Sequence, residues 1–371
     1  MQSPLLQNIV TEEGVKIHAE TKRALLNAFW PQDLQAAESF QTPITTSNLD
    51  SYFTTYVNQC NAYLSQRGSL VITRTHQDIV DIIFDFKNDL NREQVHANLL
   101  KSISSDVSDS PEIQCKIEAN SSRAIDLAVR NFLMMRIGKV PHSITSGTPL
   151  EWTHGTLRQF VTNHFNVPQE LSYTGIKLPR TFNAHSLERI GGVKIKWTDN
   201  LADHLRMLDD DERVAVFAHP SFLMLHSTSD FFPQGFIEET LRTIKLLFPA
   251  NDKPLQKWVR PLLSSTDQVD SRIATCGTLR SELRHIEKFS YWRDRLIILK
   301  EVFDEAEPST LSQWWWDRRK RVQWYTFWIA VLVLTLGLIF GIIQSTFTIL
   351  QTHVTLLQAQ NDQTSSPANI Y

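Results

Sequence analysis

Phe327 to Ile343 is a run of seventeen residues without one charge. Trp324 and Tyr325 extend it upstream, and the resulting 324–343 segment, at about 1.5 Å per residue, matches a hydrocarbon core of roughly 30 Å. A core helix of a soluble protein would turn a charged face to water, and this stretch has none on any side. The sequence therefore predicts one transmembrane helix at 324–343, and every other reading has to accommodate a chain anchored in a bilayer.

The flanks of the run predict its orientation. Arg318, Arg319, Lys320 and Arg321 precede it, offset only by Asp317, whereas residues 344–371 hold no Lys or Arg. Basic loops near a span end stay on the cytosolic side, so the N-terminal body is expected in the cytosol and the 344–371 tail on the far side. Trp324 and Trp328 suit an aromatic belt at the cytosolic headgroups, with Arg318, Arg319, Lys320 and Arg321 reaching anionic lipid. The triplet Trp314, Trp315 and Trp316 has two readings, in that belt or packed into the soluble body. Met1 to Glu20 lacks the basic and apolar regions of a signal peptide, which predicts a tail-anchored protein. Its membrane is expected to be the endomembrane system or the plasma membrane, because a mitochondrial outer-membrane anchor would carry basic residues after the span. Gly337 and Gly341 form a GxxxG pair on one face, a candidate helix-dimer contact for a homodimer.

Composition bounds the remainder. With 37 basic and 40 acidic residues the formal net charge is -3, which argues against a nucleic-acid partner. Cys60, Cys115 and Cys276 are far apart and form no CxxC pair, so reduced, buried thiols are expected rather than a zinc site or a disulfide framework. No cofactor is expected. The expected partners are the lipid bilayer and proteins on the cytosolic side.

The soluble part reads as mainly α with a small β component: a helical cytosolic region followed by one C-terminal transmembrane helix. Expected segments are an N-terminal helical region at 1–118, a main mostly helical domain at 119–307, a basic and aromatic juxtamembrane segment at 308–323, the span at 324–343 and a short polar tail at 344–371. Ser69 to Arg74 reads as a short strand, and His76 to Leu90 as a helix with Ile79, Ile82, Ile83 and Phe86 on one side. Ser102 to Glu112 reads as a linker. A helix capped by Ser121 and Ser122 and ended by Gly138 should carry Arg123, Asp126 and Arg130 as a solvated, ion-paired edge. Another helix is expected from Leu157 to Phe165. Val193, Ile195 and Trp197 alternate with polar residues as in a half-buried strand, followed by a short helix over Leu201, Leu205 and Leu208, an acidic turn at Asp209 to Glu212 and a second strand at Arg213 to His219. Glu238 to Phe248 reads as a helix stopped by Pro249. Leu279, Leu283, Ile286, Phe289, Trp292, Leu296, Leu299 and Phe303 advance by threes and fours and predict a long helix of seven turns, broken by Pro308. Asn120-Ser121-Ser122 is an N-glycosylation sequon.

Several of these stretches together resemble a family of uncharacterised filamentous-fungal membrane proteins. They are Tyr291 to Leu296, Phe303 to Pro308, Trp314 to Arg319, Gln323 to Trp328, Asp126 to Arg130 with Met134 to Gly138, Trp197 to Leu205, and Glu238 to Ile244 with Leu247 to Pro249. The resemblance covers roughly residues 120–350. It implies a fungal origin and a single C-terminal span, and it carries no activity or catalytic residue with it.

An interaction or scaffolding module held at a membrane surface is therefore the expected function. The alternative of a membrane-tethered enzyme rests on Asp203, His204, His219 and His226 as a candidate cluster. Hydrogen-bonded structural histidines are the favoured reading of that group, since HExxH, GxSxG, P-loop and kinase signatures are all missing. A degenerate transporter-like subunit is disfavoured, because no charge lies within the span. A long helix leading into a span resembles the layout of CorA-type magnesium transporters, but the second span and the Gly-Met-Asn loop of that family are missing.

Overall fold

A computed structural model describes residues 3–9, 17–31, 46–65, 71–104, 111–138, 149–306 and 321–364. The chain divides into two compact units, Met1–Ala306 and Glu307–Tyr371. As the hydrophobic periodicity predicts, it is mainly helical, with one small sheet and one long apolar helix at the C-terminal end.

Among the described residues, the first half of the body holds the helices α1 (Ala19–Phe29), α2 (Asp50–Leu64), α3 (His76–Lys87), α4 (Arg92–Ser104) and α5 (Pro111–Leu133). Thr75 starts α3 through a capping box with Asp78, which satisfies two N–H groups that would otherwise lack partners. The Ile79, Ile82, Ile83 and Phe86 stripe then faces inward, each side chain no more than 2% exposed. α5 is the central post. Ala124, Ile125, Leu127, Ala128, Val129, Phe132 and Leu133 are all buried, and α2, α3 and α4 pack around it. The helix begins ten residues before its expected cap, so Ser121 and Ser122 lie in mid-helix, and it runs unbroken across residue 118. Side chains from both sides of that position enter one continuous core extending from Ile9 to Phe303. Residues 71–74 form no strand; a single bridge pairs Asn8 with Thr75.

The second half holds α6 (Leu157–Phe165), α7 (Ala184–Arg189), α8 (Pro220–Leu225), α9 (Phe236–Leu247), α10 (Lys253–Ser264) and α11 (Arg293–Glu305) around a three-stranded sheet. β1 (Lys194–Thr198) runs parallel to β3 (Arg213–Phe217), with Trp197 opposite Val216, and β2 (Met207–Leu208) pairs antiparallel on the other side of β3. The helix expected over 201–208 is instead a 3-10 turn at Leu201–Asp203 followed by β2. Asp209, Asp210 and Asp211 turn the chain into β3 with φ of 54°, 50° and 67°, a left-handed conformation that aspartate tolerates better than most residues.

The long helix expected from Leu279 to Phe303 is not continuous. Two 3-10 turns, Ser281–Arg284 and Ile286–Lys288, precede α11, which begins only at Arg293. Between those turns the chain is extended at His285 and held to a neighbouring segment: Leu178 N–H donates to Arg284 O at 2.8 Å and Ile286 N–H to Ile176 O at 3.0 Å. The apolar residues are nonetheless buried, Ile286, Leu296 and Leu299 fully. Their spacing reported which side chains face inward, and tertiary hydrogen bonds decided the backbone path.

In the second unit, α12 (Arg321–Thr364) is a single helix of 44 residues, about 66 Å long at 1.5 Å per residue. It continues well beyond Ile343 through most of the segment expected to be a polar tail. The juxtamembrane residues Trp314, Trp315, Trp316, Arg318, Arg319 and Lys320 lie outside the described residues.

Candidate functional site

α12 is the only helix among the described residues long and apolar enough to cross a membrane, over Trp324–Asn361, and its side chains from Leu332 to Asn361 are exposed. Threonine hydroxyls along it bond back to the helix's own carbonyls. Thr326 donates to Val322 O at 2.9 Å, Thr335 to Val331 O at 2.8 Å and Thr348 to Gln344 O at 2.9 Å. Such back-bonding lets a polar side chain sit in hydrocarbon, where a bare hydroxyl would be costly. At the N-terminal end Trp324 and Trp328 lie one turn apart with ring centroids 6.3 Å from each other, and Tyr325 packs on Trp324 at 5.1 Å. Arg321 is the first residue of the helix. Gly337 and Gly341 lie one turn apart, with open space where a Cβ would project from either.

The four candidate catalytic residues in the body do not assemble into a site. Phe217 N–H donates to His204 Nδ1 at 3.1 Å, so the ring proton is on Nε2, which lies 2.6 Å from Thr243 Oγ1; that hydroxyl in turn donates to Thr240 O. His226 is wedged among Trp30, Phe132, Phe222 and Phe232, with Nε2 at 3.1 Å from Trp30 Nε1 and 3.0 Å from Phe132 O. His219 Nδ1 lies 3.2 Å from Ser51 Oγ. Burial pushes all three histidines down to about 3, so each is neutral at physiological pH. Asp203 instead joins Asn200 at 2.9 Å and Arg206 at 3.1 Å. No group of three or more metal-ligating side chains occurs among the described residues.

A cleft of about 610 Å³ opens beside the start of α2, lined by Lys22, Asp50, Ser51, Asn58, Thr266 and Asp267 among others. Ser51 touches His219 at its floor, but a histidine held neutral down to about 3 is a poor proton acceptor for a serine hydroxyl at neutral pH. Nearby, Asp270 is spent on the backbone, its Oδ2 accepting from Ser221 N–H at 2.6 Å and its Oδ1 from Arg272 N–H at 2.8 Å. The cleft is lined by polar and apolar side chains together, with the carboxylates of Asp50, Asp267 and Asp270 among them. A second surface, the outer side of α10, presents Lys253, Lys257 and Arg260 at helical spacing, with exposed Leu262 following.

Two sequence expectations are corrected by burial. Cys115 is exposed, whereas Cys60 is buried and Cys276 partly so, and all three are free thiols. The edge expected to be solvated at Asp126 and Arg130 is inside the body, at 8% and 7% exposure. Arg92 reaches from α4 to Asp126 at 2.8 Å, a partner far away in sequence and invisible to helical spacing. The sequon is also buried: Asn120 is 4% exposed, with its side chain bonded to Lys116 O and to Arg123. Comparison with protein-family models, with curated proteins and with solved structures finds no match to this chain.

Proposed function

We propose that this chain is a single-pass membrane protein, as the resemblance to the fungal membrane family also implies, and that its N-terminal body lies in the cytosol and serves as an interaction module at the membrane surface. The observation that carries the reading is α12, a helix without Asp, Glu, Lys or Arg through Trp324–Asn361 whose side chains from Leu332 onward are exposed. The cytosolic side follows from Arg318, Arg319, Lys320 and Arg321 ahead of the span against the missing Lys and Arg in 344–371. Trp324 and Trp328 then lie at the cytosolic headgroups. The exposed cations of α10 supply a face for acidic protein partners, and Gly337 with Gly341 supplies a close-approach face for a second copy of α12.

Topology is tested by glycosylation mapping. Asn120 is buried in the folded body, so an exposed acceptor is added in the turn after β2 by Asp210→Asn with Glu212→Thr; modification at Asn120 itself would also report a lumenal body. Gln363→Thr converts Asn361 into an acceptor beyond the span. Modification at Asn361 alone supports the reading, and modification in the turn reverses the orientation. Independently, the full chain should resist carbonate extraction and a deletion of 324–343 should be released; a deletion variant that stays in the membrane removes the span.

A further inference from the structure

α12 is longer than a bilayer is thick. Its 44 residues cover about 66 Å, of which a span at 324–343 uses about 30 Å. From Gln344 to Asn361, eleven of eighteen residues are polar, so this part of the helix suits water rather than hydrocarbon. Within it, Phe347, Leu350, Val354 and Leu357 advance by three and four in one line, each at least half exposed. A helix in water leaves such a line wet unless another helix covers it.

The pattern around the line points to a second copy of α12 as that cover. The spacing continues without a break through Phe340 and Ile343 to Leu336 and Val333, so one heptad seam runs out of the span into water. Its borders hold no Asp, Glu, Lys or Arg: Gln344, Gln351 and Gln358 recur every seven residues on one side, with Thr346 and His353 on the other. Identical helices meet there without like-charge repulsion, and no charge pattern selects a different helix. The other large apolar residues, Ile349 and Leu356, are interrupted at the same spacing by His353 and Gln360 and make no second seam. Anchoring supplies the alignment, because copies held by the same span point the same way at the same height. Val354 between Leu350 and Leu357 is the two-stranded choice of seam residues. Building on the reading of 324–343 as a span, we infer that α12 pairs beyond it with a second copy of itself, as a parallel two-stranded coiled coil with Phe347, Leu350, Val354 and Leu357 in the seam. Gly337 and Gly341 are on a different side of the helix, so this pairing leaves them open for a separate contact.

The test places single cysteines at each position from 346 to 358 of the full chain, with Cys115→Ser removing the exposed native thiol. Two tag lengths are co-expressed and the membranes are oxidised. Mixed-tag dimers should peak at 347, 350, 354 and 357, about threefold above 348, 352 and 355. A flat profile, or peaks at 349, 353 and 356, overturns the coiled coil, and adducts of other masses in place of mixed-tag dimers overturn self-pairing. Leu350→Gln with Leu357→Gln should lower cross-linking through Val354→Cys about tenfold, and an unchanged yield overturns the seam. Carbonate extraction of the same membranes reports on the span separately. A retained chain with a flat profile removes the coiled coil alone, whereas a released chain that still peaks along the seam removes the span and keeps the pairing.

Discussion

The carboxylate of Glu239 holds the backbone of Trp292: its Oε1 accepts the Trp292 N–H at 2.9 Å and that of Tyr291 at 2.8 Å, while Oε2 accepts Ser290 N–H at 2.7 Å. One side chain of α9 thus satisfies the amides that lead into α11, and Trp292 Nε1–H answers by donating to Thr240 Oγ1 at 2.8 Å. Burial raises the Glu239 carboxyl, and the three N–H donors partly restore its charged form. Glu239→Gln keeps the shape but turns an NH₂ group toward one of the donors. It should cost about 2 kcal/mol, read as a lower urea midpoint, and an unchanged midpoint would show that this cap is not needed to start α11.

Gly138 lies against Asp126. With φ of +71°, any Cβ at 138 would overlap the Asp126 carboxylate, displacing the group that Arg92 holds. Gly138→Ala should destabilise the body by about 3 kcal/mol, from left-handed backbone strain and the broken ion pair together. Shortening the carboxylate side chain removes the overlap, so Gly138→Ala with Asp126→Ala should cost less than the sum of the single changes. Additive losses in a double-mutant cycle would contradict the overlap.

Four buried histidines make stability depend on pH. His76 is pushed down to about 4, and His204, His219 and His226 to about 3, in each case by burial. A lowered histidine is neutral in the fold, so the unfolded chain takes protons first as pH falls below the ordinary 6.5. Their contribution is complete above pH 6.5 and is lost toward the folded values, at about 1.4 kcal/mol per pH unit for each fully engaged histidine. Glu239 and Asp270 are raised by burial and act in the opposite sense at lower pH. The unfolding midpoint should therefore fall steeply below pH 6.5, and His76→Gln should make that slope shallower by close to one proton. A flat profile there would mean these rings are not held neutral.

Self-association through α12 has two candidate faces. Gly337 and Gly341 mark one. The other is a stripe at alternating spacings of three and four, Phe340, Ile343, Phe347, Leu350, Val354 and Leu357, about 130° away around the helix at 100° per residue. If the glycine face is used, replacing Gly337 and Gly341 with Ile should weaken cross-linking in bilayers while Leu350→Ala with Leu357→Ala leaves it intact. Unchanged cross-linking in the glycine variant removes that pair.

Elements whose signal is local were legible in the sequence. The uncharged run fixed the apolar helix, because transfer into hydrocarbon depends on side-chain composition alone. His76 to Lys87, Leu157 to Phe165, and the two parallel strands followed from capping residues, helical spacing and alternation, which act within a few residues. The Leu279 to Phe303 stripe shows where this ends: burial was read correctly, but bonds to Ile176 and Leu178 drew out the first half, and Glu239 set the start of α11.

The candidate sites depended still more on what meets across the fold. Composition and spacing alone determined that this chain carries an apolar segment flanked by charge on one side, and that its body is mostly helical. Only the tertiary structure decided that Asp126 forms an ion pair with Arg92 on another helix, that the histidines are neutral wedges in an aromatic core, and that Arg130 is buried. Ion pairing and desolvation are properties of three-dimensional neighbourhoods, and helical spacing names only the neighbours on the same helix.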